Sequence, residues 1–224
     1  MPKPFTDQEK TIIGRRLLEH GYKHFSTYGL AKTNVEEIAR AAGISKGAFY
    51  KFYSSKEELF WTVIEQAEMH VREQILAVID RPGRSPRARL VAILQKAFGL
   101  FEAFPILKLL TSGDYELLFR GVPPERLGGH LANDRTFIEQ LISRCRGAGI
   151  PIRVDADALM STLYPLVITA LHREDLSLNG FSGDIDLLLE LVAAYSLGEI
   201  KIRPPALARS LPARKKESQY EPVY

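Results

Sequence analysis

The sequence predicts an all-α protein, and three observations carry that expectation. Apolar residues recur at helical spacing along almost the whole 224-residue chain, alternating β-branched runs are absent, and Gly and Pro fall between the periodic segments. The expected architecture is an N-terminal three-helix unit over residues 6–54 and a larger helical domain over 84–202, joined by a long helix over 55–80.

Taken in order, Thr6 with Glu9 makes a capping box that opens the first helix, and Ile12, Ile13, Leu17, Leu18, Tyr22 and Phe25 line one side of it. Gly29 closes it in a left-handed C-cap. Thr33 with Glu36 predicts a second capping box, opening a short helix with Val35, Ile38, Ala39 and Ala42 inward and Gly43 at its end. Ser45 caps a third helix expected to reach Tyr53, and Ser55 with Glu58 opens the long fourth one. Further helices are expected over 86–104, 105–110, 114–120, 125–146, 155–173 and 184–202. The fourth of these is weakened at Gly128-Gly129, and the fifth is kinked or broken at Pro165. The proline-bearing tail, 203–224, has no periodicity and reads as disordered.

Composition narrows the function classes. The single Cys145 excludes a disulfide framework and a Cys-based zinc site, and it suits a reducing cytosol. No apolar run approaches the roughly 18 residues of a membrane span, and the polar N-terminus is not a signal peptide, so a cytoplasmic protein is expected. Charge is divided along the chain: residues 1–56 carry a net +5, residues 57–200 a net −6, and 201–224 a net +4. A basic head on an acidic body suggests that one end approaches a polyanion.

The informative stretch runs from Gly29 to Tyr53. Two short helices crossing at Gly43 need small residues where they meet, and Ala39 and Ala42 supply them. A second helix of about eight residues is too short to be stable alone. It makes sense as an element presented to something, as in a helix-turn-helix. Lys46 and Lys51 could neutralise phosphates or reach guanine acceptors. Ser45, Gly47 and Ala48 keep that face low, and Tyr50 offers a phenol. Thr33 and Lys56, at the starts of the neighbouring helices, are placed for phosphates. On pattern alone, a tight helical hairpin with a solvated basic face remains the alternative.

These residues resemble the N-terminal domain of the TetR family of bacterial regulators. Its pattern is Thr-x-x-x-x-Ile-Ala-x-x-Ala-Gly-Val-Ser-x-Gly-x-x-Tyr-x-Tyr/His-Phe-x-x-Lys-x-x-Leu. The sequence meets it at Thr33, Val35, Ile38, Ala39, Ala42, Gly43, Ser45, Gly47, Tyr50, Lys56 and Leu59, with Ile44 for the usual Val. It departs at Phe52-Tyr53, where the hydroxyl moves by one position, and Tyr53 joins the candidate DNA-binding residues on that account. The resemblance covers about residues 8–68 and implies duplex DNA with a palindromic operator, a homodimer, and a ligand-binding domain behind the helix-turn-helix. It also implies that the last two long helices pair with their copies in a four-helix bundle. The apolar stripes Leu159, Leu163, Leu166 and Leu187, Leu188, Leu191, Val192, Tyr195 are wide enough to do so.

For the body, Phe101, Phe104, Tyr115, Phe119, Phe137 and Tyr164 are the candidate lining of an apolar effector pocket, although such aromatics at helical spacing are more often core. His70, His130 and His172 show no metal-ligand spacing, and no metal or cofactor is expected. No nucleophile–base pair, phosphate loop or Ser elbow is present, and Asp155 with Asp157 reads as helix capping, so the chain is not expected to be an enzyme. Two functions follow. One is a dimeric repressor released from its operator by a small molecule; the other is a DNA-binding regulator whose body binds a protein partner.

Overall fold

The computed structural model describes residues 5–82, 85–109, 124–171 and 185–201, and every regular element among them is helical. In chain order these are α1 (Asp7–Lys32), α2 (Val35–Ala41), α3 (Lys46–Phe49), α4 (Lys56–Leu76), α5 (Pro86–Ala103), α6 (Pro105–Lys108), α7 (Pro124–Gly147), α8 (Ala156–Leu171) and α9 (Ile185–Ser196). The expected helix at 114–120, with Tyr115 and Phe119, lies outside the described residues, as do His172 and the tail from 203.

The N-terminal unit follows its punctuation closely. Thr6 and Glu9 form the reciprocal capping box, with Thr6 N donating to the Glu9 carboxylate at 2.7 Å. Gly29 takes φ 74°, where an L side chain is strained, and one further turn carries α1 to Lys32. The cap of α2 differs from the expectation. Asn34, not Thr33, is the N-cap, its Oδ1 accepting from Glu36 N at 2.9 Å. Thr33 turns inward instead, 4% exposed, and its hydroxyl donates to Gly29 O at 2.6 Å. With its side chain turned onto the carbonyls at the end of α1, Thr33 leaves the capping of α2 to Asn34.

The helix after the turn is shorter than expected. Ser45 caps it as predicted, accepting from Ala48 N at 3.2 Å, but α3 ends at Phe49 rather than Tyr53. Beyond it, Lys51 N and Phe52 N bond to the carbonyls three residues back at 3.0 and 2.8 Å, the tighter ladder common at helix ends. Ser55 opens α4 by accepting from Glu58 N at 3.1 Å, while the Glu58 carboxylate reaches past it to Ser54 N at 2.6 Å. The Ser54 hydroxyl donates to the same carboxylate at 2.6 Å, and this bond chiefly holds the Glu58 carboxyl below the usual range.

One hydrophobic cluster runs through the molecule, and α4 is its common wall. Leu59, Phe60, Val63 and Ile64 of α4 join Leu17 and Phe25 of α1, with the Phe25 and Phe60 rings edge to face at 4.9 Å. Gly21 makes this approach possible: a Cβ there would meet Leu59 Cδ2 at 3.2 Å and Val63 Cγ2 at 3.3 Å. Further along α4, Ala67, Val71 and Ile75 are buried in the same cluster as Leu90, Leu94 and Phe98 of α5. In the body α5 packs against α8 and α9, and α7 against α8 and α4. Helix α7 passes Gly128-Gly129 without interruption, and α8 passes Pro165, so neither predicted weak point breaks its helix. No helix among the described residues is long and apolar enough to cross a membrane.

Candidate nucleic-acid interface

The short helix α3 is held from behind by Phe49, which is fully buried beneath α2 and packs edge to face on Tyr50 at 5.3 Å. Ile38, Ala39 and Ala42 of the preceding helix and turn complete that floor, all at most 1% exposed. The turn between α2 and α3 pivots on Gly43 at φ 81°. Only glycine takes that conformation without strain, so the angle between the helices rests on it. Burying one face of so short an element fixes what the other face offers.

That outer face carries most of the residues that the sequence singled out. Ser45, Lys46, Gly47, Tyr50 and Lys51 are exposed, and Ala48 is half-buried beside them. Nothing lies within 4 Å of a Cβ built on Gly47, so the backbone there is open to approach. Lys46 and Lys51 enter no ion pair among the described residues, and their charges are therefore directed at solvent. A cation without an internal partner is the kind that displaces counterions from a phosphate backbone.

Three of the nine candidates face the other way. The Thr33 hydroxyl is buried against α1, as described above. Lys56 Nζ donates to the carbonyls of Thr33 at 3.1 Å and Ala31 at 3.4 Å, so its ammonium pins the α1–α2 connection. Tyr53 is half-buried, its ring 5.9 Å from that of Phe49, and burial followed by the nearby Glu58 charge raises its phenol pKa. The structure adds one cation that the sequence reading passed over. Arg16 of α1 brings its guanidinium to within 3.6 Å of the position a Cβ on Gly43 would occupy. Its exposed place on α1, next to the buried Leu17, was the available signal.

The four candidate effector residues that are described, Phe101, Phe104, Phe137 and Tyr164, are scattered rather than gathered. An open cleft of about 370 Å³ lies between α1 and α4, with Tyr22, Val63, Ala67, His70 and Phe104 among its walls. Among the described residues, Phe104 is the one member of the predicted aromatic set to line it. Phe101 is half-buried against the core, and Phe137 lies under the Arg72 guanidinium, 5.3 Å from its centroid. Tyr164 is 42% exposed and donates its hydroxyl to Asp134 at 2.5 Å, tying α8 to α7. Burial, then this bond, raises its pKa. The Cys145 thiol is buried and pushed up to about 11, chiefly by burial, which leaves it unreactive at neutral pH.

A two-helix turn with a cationic outer face, mounted on a larger helical body, defines the class of one-component DNA-binding regulators. Residues 17–62 match the model for "Bacterial regulatory proteins, tetR family". The N-terminal unit is therefore similar to that of the TetR family of DNA-binding transcription regulators. It is similar to the probable acrEF/envCD operon repressor of Escherichia coli (strain K12), with 26% identity over 163 residues, 69% of this chain and 72% of that one. The fold is that of a TetR family transcription regulator from Marinobacter aquaeolei VT8 (TM-score 0.53, 20% identity, 84% of this chain and 97% of that one). It is shared by the regulator FadR from Bacillus subtilis, solved in complex with stearoyl-CoA (TM-score 0.54, 15% identity, 84% and 99%).

Proposed function

We propose that the protein is a dimeric repressor that reads a palindromic operator through α3 and leaves it when a small molecule binds the body. The observation that carries the DNA-binding half is the division of α3: Phe49 buried behind, Lys46, Gly47, Tyr50 and Lys51 exposed in front. Ser45 and Ala48 complete the proposed contact surface, and Arg16 joins it from α1. Thr33, Tyr53 and Lys56 support the surface from within and act on DNA through its position. The similarity to an operon repressor over 163 residues supports repression over activation.

Two further features support the dimer. Tyr164 and Ile168 on α8, and Leu187 and Leu191 on α9, are large apolar side chains between 42% and 58% exposed. Each pair is four residues apart, so each lies along one helix face, and together they give the apolar stripe that a four-helix interface with a second copy would cover. A two-fold dimer sets its two recognition helices about one DNA turn, or a multiple of it, apart.

Effector release is tested by fluorescence anisotropy on an operator selected from genomic fragments. Salt-dependent binding that weakens with at least one of a panel of apolar and amphipathic compounds is expected. Unchanged affinity across the panel, with a protein retained from lysate by the body altering it instead, would favour the protein-partner alternative. The full chain should sediment as a dimer, and Leu187→Glu with Leu191→Glu should give a folded monomer.

A further inference from the structure

We propose that Glu68, His130 and Asp134 form a binding site for one first-row transition-metal dication, at the junction of α4 and α7. One donor atom from each of the three lies within 4.8 Å of the other two. His130 and Asp134 are four residues apart on α7 and so share a helix face, and Glu68 faces them from α4. The imidazole sits between the carboxylates, with Nδ1 3.5 Å from Glu68 Oε2 and Nε2 3.8 Å from Asp134 Oδ2. These gaps are longer than a good hydrogen bond. Four ligands at about 2.1 Å around a tetrahedral ion stand about 3.4 Å from one another. One imidazole nitrogen ligates a given ion, so one of these gaps already matches an edge, and the remaining donors, all within 4.8 Å, draw in on binding.

The surroundings are arranged as the outer shell of such a site would be. Arg72 pairs with Asp134 through Oδ1, leaving Oδ2 turned toward His130 and steadied by the Tyr164 hydroxyl at 2.5 Å. Arg72 is itself held over the Phe137 ring and lies 3.7 Å from Glu68 Oε2. One guanidinium faces two carboxylates, so the cluster has room for a further positive charge. One imidazole nitrogen with two carboxylate oxygens suits zinc, cobalt or manganese better than magnesium, which takes oxygen and water. The three side chains are between 12% and 19% exposed, enough for an ion to enter and little enough to exclude bulk water from most of its shell. The proposal goes beyond the repressor reading and does not depend on an organic effector.

The protein contains its own reporter, because its single tryptophan lies against the proposed site. The Trp61 ring meets His130 edge to face at 5.0 Å, and a paramagnetic ion bound by His130 quenches its fluorescence. Titration of the full chain with Co(II) should quench Trp61 saturably at one equivalent per chain, excess Zn(II) should reverse it, and Mg(II) should do neither. His130→Gln and the near-isosteric Asp134→Asn should each raise the half-saturating concentration about tenfold or more. The exposed Glu139→Gln on the same helix should leave it unchanged. Circular dichroism melts show which variants are folded, and one folded ligand variant suffices for the comparison. Absence of saturable quenching in the wild type, or quenching unchanged in a folded ligand variant, overturns the proposal; the latter places the ion on exposed histidines such as His70. DNA binding is not measured, so either result leaves the repressor reading to its own test.

Discussion

The two ends of this molecule join their helices by different means. In the helix-turn-helix, α2 and α3 are set by backbone caps, a left-handed glycine and small apolar side chains. In the body, arginines cross from helix to helix: Arg72 to Asp134, Arg126 to Glu65 at 2.8 Å, Arg87 to Glu190 and Glu199 at 2.9 Å, Arg89 to the carbonyls of Ile79 and Ala148 at 3.0 and 2.8 Å. These four arginines are thus used internally, while Lys46 and Lys51 at the other end enter no ion pair among the described residues. Net charge therefore understates the contrast. What matters to a polyanion is which cations are already paired, and that depends on packing.

The contrast can be broken at its most sensitive point by Phe49→Ala. Removing a fully buried ring from beneath a four-residue helix should cost about 3–5 kcal/mol and abolish operator binding, read by thermal melting and anisotropy. A comparable loss in stability with full DNA binding would show that α3 is positioned by something else. Gly43→Ala comes next. Forcing an L side chain to φ 81° should cost about 1–2 kcal/mol, although the nearest atom to the new methyl, Arg16 Nη1, is 3.6 Å away. The penalty then belongs to the backbone, and Gly43→Asn should recover part of it in the same melt.

Smaller still is the test of the α2 cap. Asn34→Ala should lower stability by about 1 kcal/mol, whereas Thr33→Ser, which keeps the buried hydroxyl, should cost less. The reverse order would restore Thr33 as the cap. Last, Lys46→Ala and Lys51→Ala should leave the melting temperature within error, since neither side chain has an ion-pair partner among the described residues. Each should weaken operator binding and lower the slope of log affinity against log salt by about one. A changed melt with an unchanged slope would place these lysines in structure rather than on DNA.

How much of this was readable in the sequence follows the same division. Local rules determined most of the N-terminal unit: Thr6 with Glu9, Gly29 and Gly43 at positive φ, and Ser45 as a cap stand where spacing placed them. Local rules also explain the misses. Thr33 and Asn34 are both competent caps, and the choice was made by a carbonyl of α1 that needed the Thr33 hydroxyl. Lys56 read as a phosphate ligand because its tertiary partner, the Thr33 carbonyl, is 23 residues away. In the body, Gly128-Gly129 and Pro165 read as breaks, yet packing of α7 and α8 carried the helices through them. His130 looked solitary for a related reason. Asp134 was four residues off, but Glu68, separated from His130 by 62 positions, arrives only with the fold.

The shared wall formed by α4 has a mechanical consequence. A 21-residue helix is about 31 Å long, and a rod of that length pivoting at its body end by about 5° moves its other end by about 3 Å. Neighbouring base pairs are stacked at about 3.4 Å along the duplex axis. An adjustment of that size in the body, too small to disturb the packing of any single helix, is thus enough to carry α3 off the register proposed for it on DNA by most of a base pair.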